Sequence, residues 1–323
     1  MALLITIMVV SLLIAVTVQF NRTARNQYSG SVMLLEGQRL QAVALSGVTI
    51  GQALLEADGA AGSQDDLQES WAAPDQSELA SLFPDATLQL QMIDLSGQLQ
   101  VNSLIREGEE GNVVVTIQYR DILKRLLLLG NFGVVDEQQA QEIVDALTDW
   151  LDSDDRESDY GAEDSYYLSL NPPYSCRNGP VESIEELLLV KGISPALLYG
   201  EAGRPGLADF LTVYGEDGHI NINTAPVAVL QALHPLMTED LALTIDEYRR
   251  DSAHIDRLAD PGWYRDIAAW PGDIDLPPTI LSTRSFYFRL QSSGKREEFV
   301  RTVTVVVKRD NENNLEILDK VVE

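Results

Sequence analysis

Apolar residues run almost unbroken from Met1 to Phe20, and no charge occurs before Arg22. About 20 such residues cross the hydrocarbon core of a bilayer as a helix. The polar exceptions, Thr6, Ser11, Thr17 and Gln19, are uncharged, so the segment predicts a single membrane span. The pattern then changes without stopping. Val32, Leu34, Leu35, Leu40, Val43, Leu45, Val48, Ile50, Leu54 and Leu55 recur with polar residues between them, as on an amphipathic helix. One helix of about 55 residues is expected, some 80 Å long at about 1.5 Å per residue. It should end at Asp58-Gly-Ala-Ala-Gly-Ser, and residues 59–84, rich in Gly, Ser, Asp, Gln and Pro, read as a loop.

Alternation follows. Ala86-Thr-Leu-Gln-Leu-Gln-Met-Ile, a turn at Asp94-Leu-Ser-Gly-Gln and Leu99-Gln-Val-Asn predict a β-hairpin. Val113–Gln118 is a shorter β-like run. Between about 119 and 281 the period becomes helical: Arg120–Leu129, Glu137–Leu151, Ile184–Leu189, Pro195–Tyr199, Pro226–Leu233, Thr238–Arg250 and Trp263–Trp270. Strands return at Ser285–Gln291 and Glu298–Val307, with a turn expected at Ser292-Ser-Gly-Lys. One sheet interrupted by a helical insertion is the economical arrangement, and two serial domains the rival. The fold class is α+β, divided as 1–22, 23–118, 119–281 and 282–323.

Composition narrows the function. The net charge is −27, with a pI near 4.3 and 45% apolar residues. The apolar content supports packed cores. The negative charge argues against binding nucleic acid, which needs basic surface on phosphate, and against docking on anionic lipid. Cys176 is the only cysteine, so no intrachain disulfide forms. His219, His234 and His254 are scattered without metal-ligand spacing. Nucleotide-binding and hydrolase fingerprints are absent, and no enzyme is expected. Arg22 and Arg25 follow the apolar segment, which by charge bias places the remainder in the cytoplasm. A cleaved secretory signal fits poorly, since nothing basic precedes Met1 and Val18-Gln19-Phe20 is no small-residue cleavage site.

The densest chemistry lies at 149–164, where eight of sixteen residues are acidic. Crowded carboxylates are either solvated or gathered on a cation, and calcium accepts six to eight hard oxygen ligands in flexible geometry. The EF-hand template fails: counted from Asp152, the fifth and sixth positions are Arg156 and Glu157, where a glycine belongs at the sixth. Both alternatives stay open on spacing alone. Glu185-Glu-Leu-Leu-Leu-Val-Lys-Gly-Ile-Ser-Pro-Ala-Leu-Leu is like a helix-hairpin-helix, and Asn223-Thr-Ala-Pro with Thr238-Glu-Asp resembles a degenerate second copy. With Ser194 at the usual second glycine and Glu182, Glu185, Glu186 and Glu201 nearby, it reads as a packing unit rather than a DNA contact.

Four stretches carry a resemblance: Leu147-Thr-Asp-Trp-Leu-Asp-Ser-Asp, Gly161-Ala-Glu-Asp-Ser-Tyr-Tyr, Ser183-Ile-Glu-Glu-Leu-Leu-Leu-Val-Lys-Gly-Ile and Ile220-Asn-Ile-Asn-Thr-Ala. With the N-terminal helix they make the chain similar to the type II secretion system protein K family, the GspK minor pseudopilins. The resemblance implies a pilin-like antiparallel sheet with a large inserted helix-hairpin-helix or SAM-like domain. It also implies a basic leader cut by a prepilin peptidase, leaving Met1 as a methylated mature N-terminus. Loss of that leader resolves the charge-topology conflict. Ile5 stands where most pseudopilins carry Glu. A carboxylate in lipid is costly unless paired, and a subunit with no neighbour above it has no amine to pair with, so Ile5 fits a tip position.

The family further implies a tip complex with minor pseudopilins I and J, contact with other pseudopilins and the secretion platform, and residence in the bacterial inner membrane with the C-terminal domain in the periplasm. It implies structural calcium in the acidic stretch, with Asp152, Asp154, Asp155, Glu157, Asp159, Glu163 and Asp164 as candidate ligands. Rival functions are a membrane-anchored calcium-binding adhesin and a helix-hairpin-helix nucleic-acid protein.

Overall fold

A computed structural model describes residues 2–107, 113–130, 132–134, 136–201, 203–215 and 217–323. Met1, the expected processing site, lies outside the described residues. The first element, α1, is one unbroken helix over Ala2–Ala61. Residues 2–35 are exposed on all sides, and among the described residues this is the one helix long and apolar enough to span a membrane. From Leu40 the helix is half buried through Leu40, Val43, Ala44, Gly47, Val48, Gly51 and Leu55, one stripe at helical spacing.

That stripe lies on a four-stranded antiparallel sheet made of β1 (Thr87–Asp94), β8 (Tyr287–Arg296), β9 (Phe299–Arg309) and β10 (Leu315–Val322), in the order β1-β8-β9-β10. Two glycines set the approach. A Cβ on Gly47 would stand 2.1 Å from Ser292 Oγ, and one on Gly51 2.7 Å from Leu290 Cδ2. The core between helix and sheet is Val43, Val48, Leu88, Leu90, Phe288, Leu290 and their neighbours. Trp71 seals one end, edge-on to Phe288 at 5.2 Å.

A second, larger core belongs to a helical unit. Its elements are β2 (Leu99–Gln100), β3 (Ile105–Glu107), β4 (Val113–Val115), α3 (Ile117–Leu127), α4 (Glu137–Leu151), α5 (Asp164–Tyr167), α6 (Pro195–Tyr199), β5 (Leu211–Thr212), β6 (Ile220–Asn221), α7 (Val227–Ala232), α8 (Glu239–Arg250) and β7 (Leu281–Ser282), with 3-10 turns at Ile184–Leu189 and elsewhere. The small helix α2 (Gln76–Ser81) precedes β1.

Three expectations are corrected. The hairpin over 86–102 does not form: β1 pairs with β8, while β2 pairs in parallel with β5. The turn at Asp94-Leu-Ser-Gly instead carries the chain into the helical unit, whose core begins at Leu99, ahead of residue 119. Gly97 permits this, since a Cβ there would meet Thr224 Oγ1 at 2.7 Å. The C-terminal hairpin forms, but it turns at Glu297 and Glu298 rather than at Ser292–Lys295, with Arg296 opposite Phe299. Gly294 is a strand residue, placed where a Cβ would stand 2.5 Å from the Leu40 carbonyl of α1, so this glycine marks close backbone approach rather than a turn. Strand β10 was not foreseen, because both its faces are largely exposed and the alternation is lost.

Candidate functional site

The acidic stretch grows out of the C-terminal end of α4. That helix starts at Asp136, whose side chain accepts from Gln139 N at 2.9 Å, and every residue from Ile143 to Leu151 is buried. Buried Asp145 pairs with Arg120. Asp149 is fully buried and folds the next turn around itself, accepting from Ser158 N (3.0 Å), Ser158 Oγ (2.5 Å) and Ala162 N (2.9 Å). Gly161 passes so close that a Cβ would lie 1.8 Å from Asp149 Oδ2. Burial pushes the Asp149 carboxyl upward against those three bonds.

Glu163 is the unusual residue. It is 3% exposed, and neither carboxylate oxygen accepts a hydrogen bond. Burial, with the charges of Asp149, Asp152 and Asp155, pushes it up to about 7. The Cys176 thiol beside it helps hold its charge but donates instead to the Asp149 carbonyl at 3.6 Å. That thiol is itself raised to about 12, chiefly by burial, and so is no nucleophile. Asp152 is pushed up to about 6, again first by burial and then by Asp154 and Asp149.

A second orphan sits close by. Asn178, held at φ +49°, gives its Nδ2 to Asp155 Oδ1 at 3.1 Å, and its Oδ1 is buried without a partner. Buried polar atoms are ordinarily satisfied, so three unpartnered oxygens in one loop system suit a hard cation.

The other candidates are placed differently. Asp154 Oδ1 accepts from Arg156 N (2.8 Å), and Asp164 Oδ1 accepts from Cys176 N (2.7 Å). Glu157 and Asp159 are exposed. The hairpin's Lys191 does not face outward: its Nζ donates to the Gly161 carbonyl at 2.8 Å and lies 5.2 Å over the Tyr166 ring. The helix-hairpin-helix-like segment thus braces the acidic loop. Asn178 and Asp149 were absent from the sequence candidates; an amide oxygen left buried without a donor gives no local signal.

Among the described residues, one trio of carboxylates has its oxygens within 4.8 Å of one another, and it lies elsewhere: Asp58, Asp65 and Glu69. The Arg309 guanidinium already bonds Asp58 and Asp65, so this trio is an ion-pair cluster.

Comparison with known proteins agrees with this architecture. The family described as "Type II secretion system (T2SS), protein K" matches residues 97–200. Type II secretion system protein K of Pseudomonas aeruginosa is 30% identical over 197 residues, 59% of this chain and 54% of that one, so that match spans about half the relative's length. The proteins of the same name from Klebsiella pneumoniae (24% identical) and Aeromonas hydrophila (26%) align over 99% of this chain and over 91% and 96% of their own. A chain in the crystal structure of the GspK-GspI-GspJ complex from enterotoxigenic Escherichia coli shares the fold, with a TM-score of 0.66 at 19% identity, covering 91% of this chain and 99% of that one.

Proposed function

We propose that this chain is a member of the type II secretion system protein K family, a minor pseudopilin that caps the pseudopilus and starts its assembly with minor pseudopilins I and J. The observation that carries this is the division of α1. Residues 2–35 are bare and apolar for a membrane's thickness, while the half beyond Leu40 is fastened to the sheet. Such a helix anchors a subunit in the inner membrane before assembly and packs among neighbouring helices afterwards. Ile5, 63% exposed on the bare half, offers lipid or a neighbour only hydrocarbon, as suits a subunit with nothing above it. The two packed units then stand on the periplasmic side, in contact with other pseudopilins. The chain acts as a structural component rather than an enzyme.

Calcium binding at the acidic loop is the second part. Glu163 and the Asn178 Oδ1 would hold the ion together with Asp152 and Asp155, and the ion would neutralise carboxylates that burial otherwise makes costly. The solvent-facing Glu157 and Asp159 contribute little. Co-expression with I and J from the same secretion system, followed by detergent extraction and native mass measurement, tests the assembly role. A 1:1:1 complex is expected. A chain that stays monomeric while I and J pair would overturn it and leave a membrane-anchored surface protein.

A further inference from the structure

The Ile220-Asn-Ile-Asn-Thr-Ala segment has no part in the membrane helix or the acidic loop. It lies where the two cores meet. Asn221 and Asn223 are completely buried. Asn221 Nδ2 donates to the Asp65 carbonyl (3.0 Å) and to Ser285 Oγ (2.7 Å). Asn223 Nδ2 donates to the Leu258 carbonyl (3.0 Å), and its Oδ1 accepts from Trp263 Nε1 (2.8 Å). Thr224 Oγ1 and Ser285 Oγ both donate to Asp94 Oδ2 at 2.5 Å, while Ser96 N donates to Asp94 Oδ1 at 2.7 Å. Arg309, from the end of β9, bonds Asp58 (3.0 Å), Asp65 and the Ser285 carbonyl (2.9 Å). Glu69 Oε2 accepts from Trp71 Nε1 (2.7 Å) and Asp66 N (3.0 Å). Side chains from α1, the connection after it, β1, β9 and the helical unit thus close on one another in one buried network.

The charges do not balance. Asp58 comes from α1, Asp65, Asp66 and Glu69 from the connection, and Asp94 from β1; among the described residues the one cation bonded to any of them is Arg309, which pairs with Asp58 and Asp65. The helical unit faces the group with the neutral Asn221, Asn223 and Thr224. Its nearby Arg249 is turned away, onto Asp246 and the carbonyls of Ile222 and Ala225. Buried excess negative charge is relieved most cheaply by taking up protons. We propose that this knot is a proton-linked joint between the pilin-like sheet and the helical unit, tightened as its carboxylates gain protons and loosened as they lose them.

The titration agrees with the geometry. Burial pushes Asp65 up to about 7 against the pull of Arg309, and Glu69 up to about 8; Asp94 is raised by the same cause. In the unfolded chain these groups titrate near 4. Between that range and the folded values the native state holds more protons than the unfolded one. Stability therefore rises as pH falls from about 8 toward 5, and the slope vanishes once both states are ionised.

The test uses the full chain in detergent micelles with chelator present. Melting temperature is followed from pH 5.5 to 9, and spin labels at Glu78→Cys on α2 and Leu243→Cys on α8 report the distance across the joint. The wild type should melt higher at pH 6.5 than at 8.5, with the distance distribution narrowing over the same interval. The folding equilibrium should shift by up to tenfold per pH unit for each proton taken up. In a Glu163→Gln background, which removes the slope of that separate raised carboxyl, Asp65→Asn with Glu69→Gln keeps the shapes and should flatten the distance profile and make the melting profile shallower, while Asp85→Asn, at an exposed pair with Arg39, should leave both unchanged. A distance width that ignores pH before the double substitution, or profiles that it leaves as steep as before, would overturn the joint.

Discussion

Two acidic regions of this molecule look opposite from the sequence and from the fold. The loop at 149–164 crowds eight carboxylates into sixteen residues, yet four of them end up exposed, Asp152 and Asp164 are half-buried, and only Asp149 and Glu163 are buried. The joint draws Asp58, Asp65, Glu69 and Asp94 from separate stretches of chain and packs them around Arg309. Density along the chain leaves half of the loop's carboxylates in solvent and raises chiefly the ones that burial reaches; density in space gathers remote carboxylates onto one another and a single arginine. The loop keeps oxygens without donors, as a cation site requires. The joint has donors for nearly all its oxygens, as a structural clasp requires.

The comparison can be broken most severely at Arg309. Arg309→Met leaves the joint's carboxylates without their cation, and a loss of about 3–5 kcal/mol is expected in urea unfolding at pH 8. Asp149→Ala should cost about 2–3 kcal/mol, because it strands Ser158 and Ala162 donors that are bonded in the native turn. Gly161→Ala forces a Cβ onto the Asp149 carboxylate and should cost about 1–3 kcal/mol by overpacking. Glu163→Gln has the opposite sign in metal-free protein. The Glu163 carboxyl is raised to about 7, so its charge weighs against folding above the unfolded value and fully so above 7. The substitution should therefore stabilise by about 1 kcal/mol or less, more at pH 8 than at pH 6. Glu157→Gln and Asp159→Asn, at exposed positions, should stay within about 0.5 kcal/mol.

Much of this architecture was legible from periodicity. The membrane-length run, the amphipathic continuation, and helices such as 137–151 and 239–250 follow from patterns spanning several turns. Strand pairing was less legible. Asp94-Leu-Ser-Gly and Ser292-Ser-Gly look like hairpin turns, but Gly97 and Gly294 are there because Thr224 and the Leu40 carbonyl come within van der Waals reach. Such glycines answer to distant residues, so no local rule separates them from turn glycines. The same holds for the site. The acidic run was visible, whereas the burial of Glu163, the Asn178 oxygen and the Arg309 clasp arise only when remote segments close. Ile220-Asn-Ile-Asn-Thr-Ala stood out as a motif, but its purpose, joining two cores, needed the fold.

The division between the two acidic regions is tested most directly by calorimetric titration of calcium into the full chain, stripped of metal and held in detergent micelles. Wild-type protein should bind calcium, Glu163→Gln should weaken binding at least tenfold, and Asp65→Asn should bind as the wild type does. Undiminished binding by Glu163→Gln, or binding lost in Asp65→Asn, would contradict the assignment and move the cation to the joint.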